Sequence, residues 1–319
     1  MAVIAFPGPT GPAAAGQSTV AAAVDRFTDS ITVATTRAGY AETLARLVER
    51  TGPAHPVAEL APGDYAAVMD RWNSAAPATW NRHLSALTSF TAWAQRQEIL
   101  TTNPARRLQR RKVTRRGDRS LPATRLETLF GDDRNALRER VLWRLLYETA
   151  ARAEEILSLN VGDLDTEFRR ARVVSKGGAI EYVHWQTSTA RLLPRLLKGR
   201  TSGPVFLAGR RAPTCGRRAP AAADIDPATG RGRLSYPRAE LLFKQASARI
   251  DPHGQGWTLH QLRHSALQHL GQAGRSAPEL QAKSRHQHLA SLGTYVRLGE
   301  ETAARITAES DPASRRRTR

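Results

Sequence analysis

His260-Gln261-Leu262-Arg263-His264 is the stretch whose reading decides this chain. Residues three and four apart share one side of a helix, and the spacing predicts a helix from Leu259 to Leu270. His260, Arg263 and His264 then lie along one face, and Leu262, Ala266 and Leu270 along another that can be buried. Such a helix presents an imidazole beside a guanidinium at the edge of a core. Arginine grips a phosphate through forked, charge-assisted hydrogen bonds, and histidine donates a hydrogen bond or moves a proton. By itself the pattern is weak: with nine histidines and this much arginine, one His-x-x-Arg arises by chance.

The surroundings supply the specificity. Upstream, an apolar helix is expected from about Asn135 to Glu148, carrying Val141, Leu142, Leu145 and Leu146. Arg152 stands at its end, with Glu155 three residues on. Between the two arginines, Arg169 to Val174 and Ile180 to Trp185 read as strands around Lys176-Gly177-Gly178, a hairpin turn. Lysine occurs otherwise only at Lys112, Lys198, Lys244 and Lys283, so one at this turn carries information. Downstream, Ser276-Ala277-Pro278-Glu279 opens a further helix as a capping box, and His286 precedes Tyr295 by nine residues.

Arginine, lysine, His-x-x-Arg, histidine and tyrosine in this order resemble the phage-integrase, or tyrosine recombinase, family. The resemblance implies that Arg152 and Arg263 hold the non-bridging oxygens of one DNA phosphate. Tyr295 is then the nucleophile, forming a 3′-phosphotyrosyl bond and freeing a 5′-hydroxyl. Lys176 would protonate that leaving oxygen, His260 would act as acid–base or hydrogen-bond donor, and His286 would contact the phosphate. The covalent link conserves the phosphodiester energy, so no cofactor is expected, and no metal. His264 and His269 read as structural, as does Glu155. His288 competes with His286, but only His286 has the family's interval to the tyrosine. Two positions depart from the pattern. Ala150 stands where a glycine is usual before the arginine motif, and Ser284-Arg285 replaces Leu-Gly before the late histidine. Glycine there permits a left-handed helix end; arginine is expected to strain it or to end the helix differently.

Composition sets the partner. A formal charge of +19 calls for a polyanion, and double-stranded DNA is the partner expected, because basic side chains displace its condensed counterions. Hydrophobic residues at 40% are enough for packed cores, and 319 residues suit two domains better than one. The lone Cys215 excludes an internal disulfide and a cysteine-based zinc site. No signal peptide or membrane span is read in the first twenty residues, so a cytoplasmic, nucleoid-associated protein is expected.

The expected fold is mainly α with a small antiparallel β-sheet (α+β), in two domains. Residues 1–18 read as a flexible arm and 19–110 as a helical, DNA-clamping core-binding domain. Its clearest helix runs from Thr79 to Ile99, with Trp80, Leu84, Leu87, Phe90 and Trp93 as one apolar stripe and Asn103-Pro104 as its stop. Arg82, His83 and Arg96 lie off that stripe, where they can reach phosphates. Residues 111–120 form a basic linker that includes Arg111, Lys112 and Arg115. The catalytic domain, 121–309, opens on a capping box at Thr124 to Glu127 and includes a long loop at Gly209 to Arg233. A basic tail, 310–319, ends the chain. The segment Glu300 to Glu309 implies, by the same resemblance, docking on a neighbouring copy within a tetramer on two DNA sites; accessory proteins are possible partners. Two other readings stay open: a type IB topoisomerase, and an inactive DNA-binding relative.

Overall fold

The computed structural model describes residues 18–113, 120–175, 178–213, 215–216, 219–288, 292–293, 307–308 and 310–311. The arm, most of the linker with Arg115, Lys176, Tyr295, the 300–309 segment (apart from 307–308) and nearly all of the basic tail lie outside them. The chain divides into two compact units, Met1–Arg116 and Gly117–Arg319. No helix among the described residues is long and apolar enough to cross a membrane.

The first unit is helical: α1 (Val20–Ser30), α2 (Ala34–Thr51), α3 (Pro62–Asp70) and α4 (Pro77–Arg96). Thr19 caps α1 by accepting the Ala22 N–H, and Asp64 accepts the Ala61 N–H at the start of α3. The expected stripe on α4 is the face that the unit buries: Trp80, Leu84, Leu87, Phe90 and Trp93 are all in its core. Phe27 of α1 packs against Phe90 and Trp93 at ring separations of 5.7 and 5.6 Å. Two local expectations are corrected. The helix stops at Arg96, and Asn103-Pro104 instead begins a 3₁₀ turn, where Asn103 accepts the Ala105 N–H. His83 faces inward: it stacks 3.6 Å from Trp72 and meets the Thr43 hydroxyl at 2.7 Å.

The second unit begins with α5 (Ala123–Gly131), α6 (Leu137–Thr149) and α7 (Ala153–Leu157). Thr124 is already inside α5, so the expected capping box does not form; Pro122 occupies the cap. Next come β1 (Leu164–Asp165), β2 (Arg170–Val174) and β3 (Ile180–His184), an antiparallel meander with Arg170 opposite His184 and Val174 opposite Ile180. Ala171, Val173 and Val183 point into the core, the alternation of a sheet with one wet face. After α8 (Thr187–Leu197), β4 (Leu207–Arg211) and β5 (Arg231–Arg233) pair antiparallel. That pair corrects the loop expected at 209–233. Its sequence lacks strand-forming side chains, and Arg233 anchors it by donating to the Leu157 and Leu159 carbonyls, both at 3.0 Å.

The unit closes with α9 (Tyr236–Ala248), α10 (Leu259–Gln272) and α11 (Ala277–Ser284). The core lies between α6, the inner sheet face, α9 and α10, with Trp143 against Phe243 at 5.3 Å. The capping box at Ser276 and Glu279 forms as expected. The architecture is mainly helical with small antiparallel sheets.

Candidate active site

Arg152, His260, Arg263 and His286 come from three stretches of chain, and tertiary packing gathers them. Arg152 is the N-cap of α7, not part of the preceding helix. Its N–H donates to the Glu155 carboxylate at 2.9 Å, and its guanidinium reaches the other oxygen at 2.8 Å. The main-chain bond fixes the cap and the side-chain bond aims the arginine, whose side chain remains 37% exposed. A single glutamate thus orients both.

Arg263 is buried on α10, 3% exposed. Its two terminal nitrogens donate to the carbonyl of Ala150 and, at 2.8 Å, to that of Ser284. Ala150 and Arg285 are the two positions where glycine was expected. Both adopt left-handed backbone geometry, φ 51° ending α6 and φ 57° ending α11. These helix ends bring their carbonyls to Arg263, so the local strain at two L-residues serves one buried guanidinium.

His286 follows directly. Its Nδ1 lies 2.6 Å from the Ser284 hydroxyl, and the Arg263 guanidinium lies 3.3 Å from its Nε2. The same arginine nitrogen lies 3.5 Å from Nδ1, so its contact is shared along the imidazole edge. Gln281 donates to the His286 carbonyl at 2.9 Å. Burial first, then Arg263, Arg152 and His260, lowers the imidazole pKa to about 4. The ring is therefore neutral at pH 7. His260 stands in the first, exposed turn of α10, after a loop in which Asp251 accepts three backbone N–H groups.

Lys176 lies outside the described residues; on either side of it the Ser175 N–H donates to the Ala179 carbonyl at 2.9 Å. Leu292, three positions before Tyr295, is buried with Ala150, Ala266, Leu267 and Leu280.

Sequence reasoning missed the groups that hold this site. Ser284 positions the imidazole, and Arg285 pairs with Glu155 inside the protein. Lys283 donates to the His184 carbonyl at 3.1 Å, tying α11 to β3. The only sequence signal was the missing glycine. His269 is structural, as expected: its Nδ1 meets the Tyr147 hydroxyl at 2.7 Å.

Of the expected DNA contacts in the first unit, Arg82, Arg96 and Lys112 are exposed. Arg111 is engaged within the unit. Its guanidinium lies 3.8 Å over the Trp80 ring and donates to the Asn73 side chain at 2.6 Å. The Asn81 side chain brackets its backbone with two bonds of 2.8 Å.

Residues 119–302 match the model of the phage integrase family. The chain is 32% identical over 272 residues to the tyrosine recombinase XerC of Mycobacterium sp. (strain KMS), covering 77% of this chain and 81% of that protein. Among solved structures, the Tn1549 transposon integrase in complex with a circular intermediate DNA aligns with a TM-score of 0.68. That alignment spans 91% of this chain and 98% of the integrase chain at 16% identity. A lambda integrase tetramer bound to a Holliday junction aligns at 0.64 and 15% identity, covering 86% and 77%.

Proposed function

The chain belongs to the phage integrase family, and on that premise we propose how its residues cut and rejoin DNA. The protein is a tyrosine-type site-specific DNA recombinase, an enzyme of strand cleavage and religation. One observation supports the residue roles: buried Arg263 ties the Ala150 and Ser284 carbonyls together beside His286, whose imidazole also feels the charges of Arg152 and His260.

In this reading Arg152 and Arg263 hold the two non-bridging oxygens of the scissile phosphate and stabilise the charge that builds on them in the transition state. The Tyr295 oxygen attacks phosphorus in line and the bond from phosphorus to the 5′-oxygen breaks. Lys176 delivers a proton to that oxygen. His260 takes the phenol proton and, once protonated, donates it as a hydrogen bond to the phosphate. Neutral His286 stands ready to gain a proton once the phosphate anion arrives and to donate it as a hydrogen bond. Rejoining is the reverse, with a 5′-hydroxyl attacking the phosphotyrosine, and no step calls for a nucleotide or a metal.

Arg82, Arg96 and Lys112 serve as phosphate contacts in the first unit, with Arg115 in the linker. Arg111 joins them only secondarily, because Trp80 and Asn73 already hold it. The working assembly is a tetramer on two double-stranded sites in the cytoplasm, at the nucleoid; the solved lambda integrase tetramer on a junction supports that assignment by analogy of fold.

The test is to incubate the protein with DNA flanking its own gene and map the protein-linked phosphate. Tyr295→Phe is expected to bind DNA and form no adduct; an adduct that persists rejects the nucleophile. A complex holding strictly one protein per DNA favours a topoisomerase over the recombinase tetramer.

A further inference from the structure

Arg285 occupies a position that its own backbone resists. It ends α11 at φ 57°, ψ 39°, in the region that glycine enters freely and arginine does not. Its side chain is nevertheless only 6% exposed. One terminal nitrogen bonds to Glu155, and Nε lies 3.3 Å from the Glu181 carboxylate. The second contact is an ion pair without hydrogen-bond alignment, and neither atom has a hydrogen-bonded partner. A helix end needs no such side chain. Two carboxylates from different elements converging on it imply a further task.

We propose that Arg285 is a positioning residue that locks the β2–β3 hairpin to the phosphate clamp. Glu155 is the group that aims Arg152, and Glu181 lies on β3, the strand that follows Lys176 in the chain. His286 is the next residue along the chain. One buried guanidinium therefore joins the arginine that grips the phosphate, the hairpin of the general acid and the late histidine. Lys283 adds a second tie to the same strand, at the His184 carbonyl. Where glycine ends the helix this cross-link is absent, so the strain at Arg285 is balanced by what its side chain connects. The inference rests on the roles proposed above for Arg152 and Lys176.

The experiment measures single-turnover adduct formation by the full chain on a nicked suicide duplex centred on the mapped phosphate. The leaving 5′-oxygen is kept in one substrate and replaced by sulfur in the other, since a thiolate departs without a proton. Glu181→Gln severs only the hairpin arm. It is expected to bind DNA like wild type and to cleave the oxygen substrate about ten-fold more slowly or worse, because small misplacements of a catalytic group are costly. The sulfur substrate should abolish that deficit. Arg285→Gly relieves the backbone and removes both arms, so its deficit should be larger and only partly rescued by sulfur; Arg285→Lys, able to reach one carboxylate, should fall between. Wild-type rates in both Glu181→Gln and Arg285→Gly overturn the proposal, as does a Glu181→Gln deficit equal on the two substrates. If Arg285→Gly does not fold, Glu181→Gln alone decides. Failure of sulfur to rescue Lys176→Ala would withdraw the general-acid role itself, a result distinct from those outcomes.

Discussion

Arg263 donates to the carbonyl of Ala150 across 113 residues and to that of Ser284 across 21. The residue expected to grip substrate is thus also the knot that fixes three segments of the catalytic unit. In the proposed reading, substrate binding and local stability share one side chain.

Arg263→Lys tests this double duty. A single ammonium cannot span both carbonyls, and losing one charged hydrogen bond to a buried acceptor costs about 1–3 kcal/mol. The thermal midpoint should fall by roughly 2–10 °C in a unit of this size, and adduct formation by about 10³-fold. A variant with unchanged melting and only weaker DNA binding would contradict the structural half.

His286 should titrate far from the ordinary histidine range. Its pKa is lowered from 6.5 to about 4 by burial and then by the neighbouring arginines. The unfolded chain takes up this proton as pH falls below 6.5 while the folded chain does not. The group therefore contributes full stability above that pH and loses it as pH falls toward 4. NMR titration of the free protein should show the low value and binding of a short duplex should raise it. An imidazole titrating above 6 in the free protein would refute the arrangement.

Glu155 is held ionised. Burial pushes its pKa up, but Arg285, then Arg152 through its N–H and guanidinium, outweigh this and leave it below the usual value. Its contribution is present above the unfolded carboxyl pKa and lost as pH drops through the lowered one. Glu155→Gln leaves Arg285 buried with its main partner gone, at a cost of about 3–5 kcal/mol. Chemical denaturation at neutral pH measures it; a loss under 1 kcal/mol would mean the ion pair is not formed.

Trp80→Leu should release the start of the linker. It removes the ring under Arg111 and the indole N–H that donates to the Gln109 carbonyl at 3.0 Å. Limited trypsin digestion should then cut sooner at Arg110 or Arg111. By contrast, Arg82→Ala should lower the salt slope of DNA binding by about one counterion, and Arg111→Ala by less. Equal slopes would show that Arg111 leaves Trp80 for the phosphate.

Gly256→Ala probes the loop before His260. Gly256 sits at φ 72°, and a methyl group would collide with the Lys244 backbone carbonyl. A destabilisation of about 2–4 kcal/mol is expected, with slower cleavage because the first turn of α10 shifts. Wild-type stability would show that the loop is free to move.

Much of the architecture was legible without coordinates where burial repeats with a regular period. The α4 stripe, the β2–β3 pairing and the helices α6, α10 and α11 all announce themselves by spacing or by caps. The β4–β5 pair escaped because its strands are held by Arg233 and by pairing, not by side chains that favour extended chain. His83 escaped because a polar residue beside an apolar stripe looks exposed until Trp72 and Thr43 close over it.

The order of arginine, lysine, histidine and tyrosine was enough to point to the family, and the match over residues 119–302 bears that out. Tertiary structure alone decided how the site is held. Ala150 and Arg285 read as defects in a family pattern, yet each turns left-handed, and the carbonyls of Ala150 and Ser284 meet on Arg263. Linear spacing describes faces of single helices, whereas these bonds join residues 113 and 21 positions apart on different elements, and no periodicity encodes them.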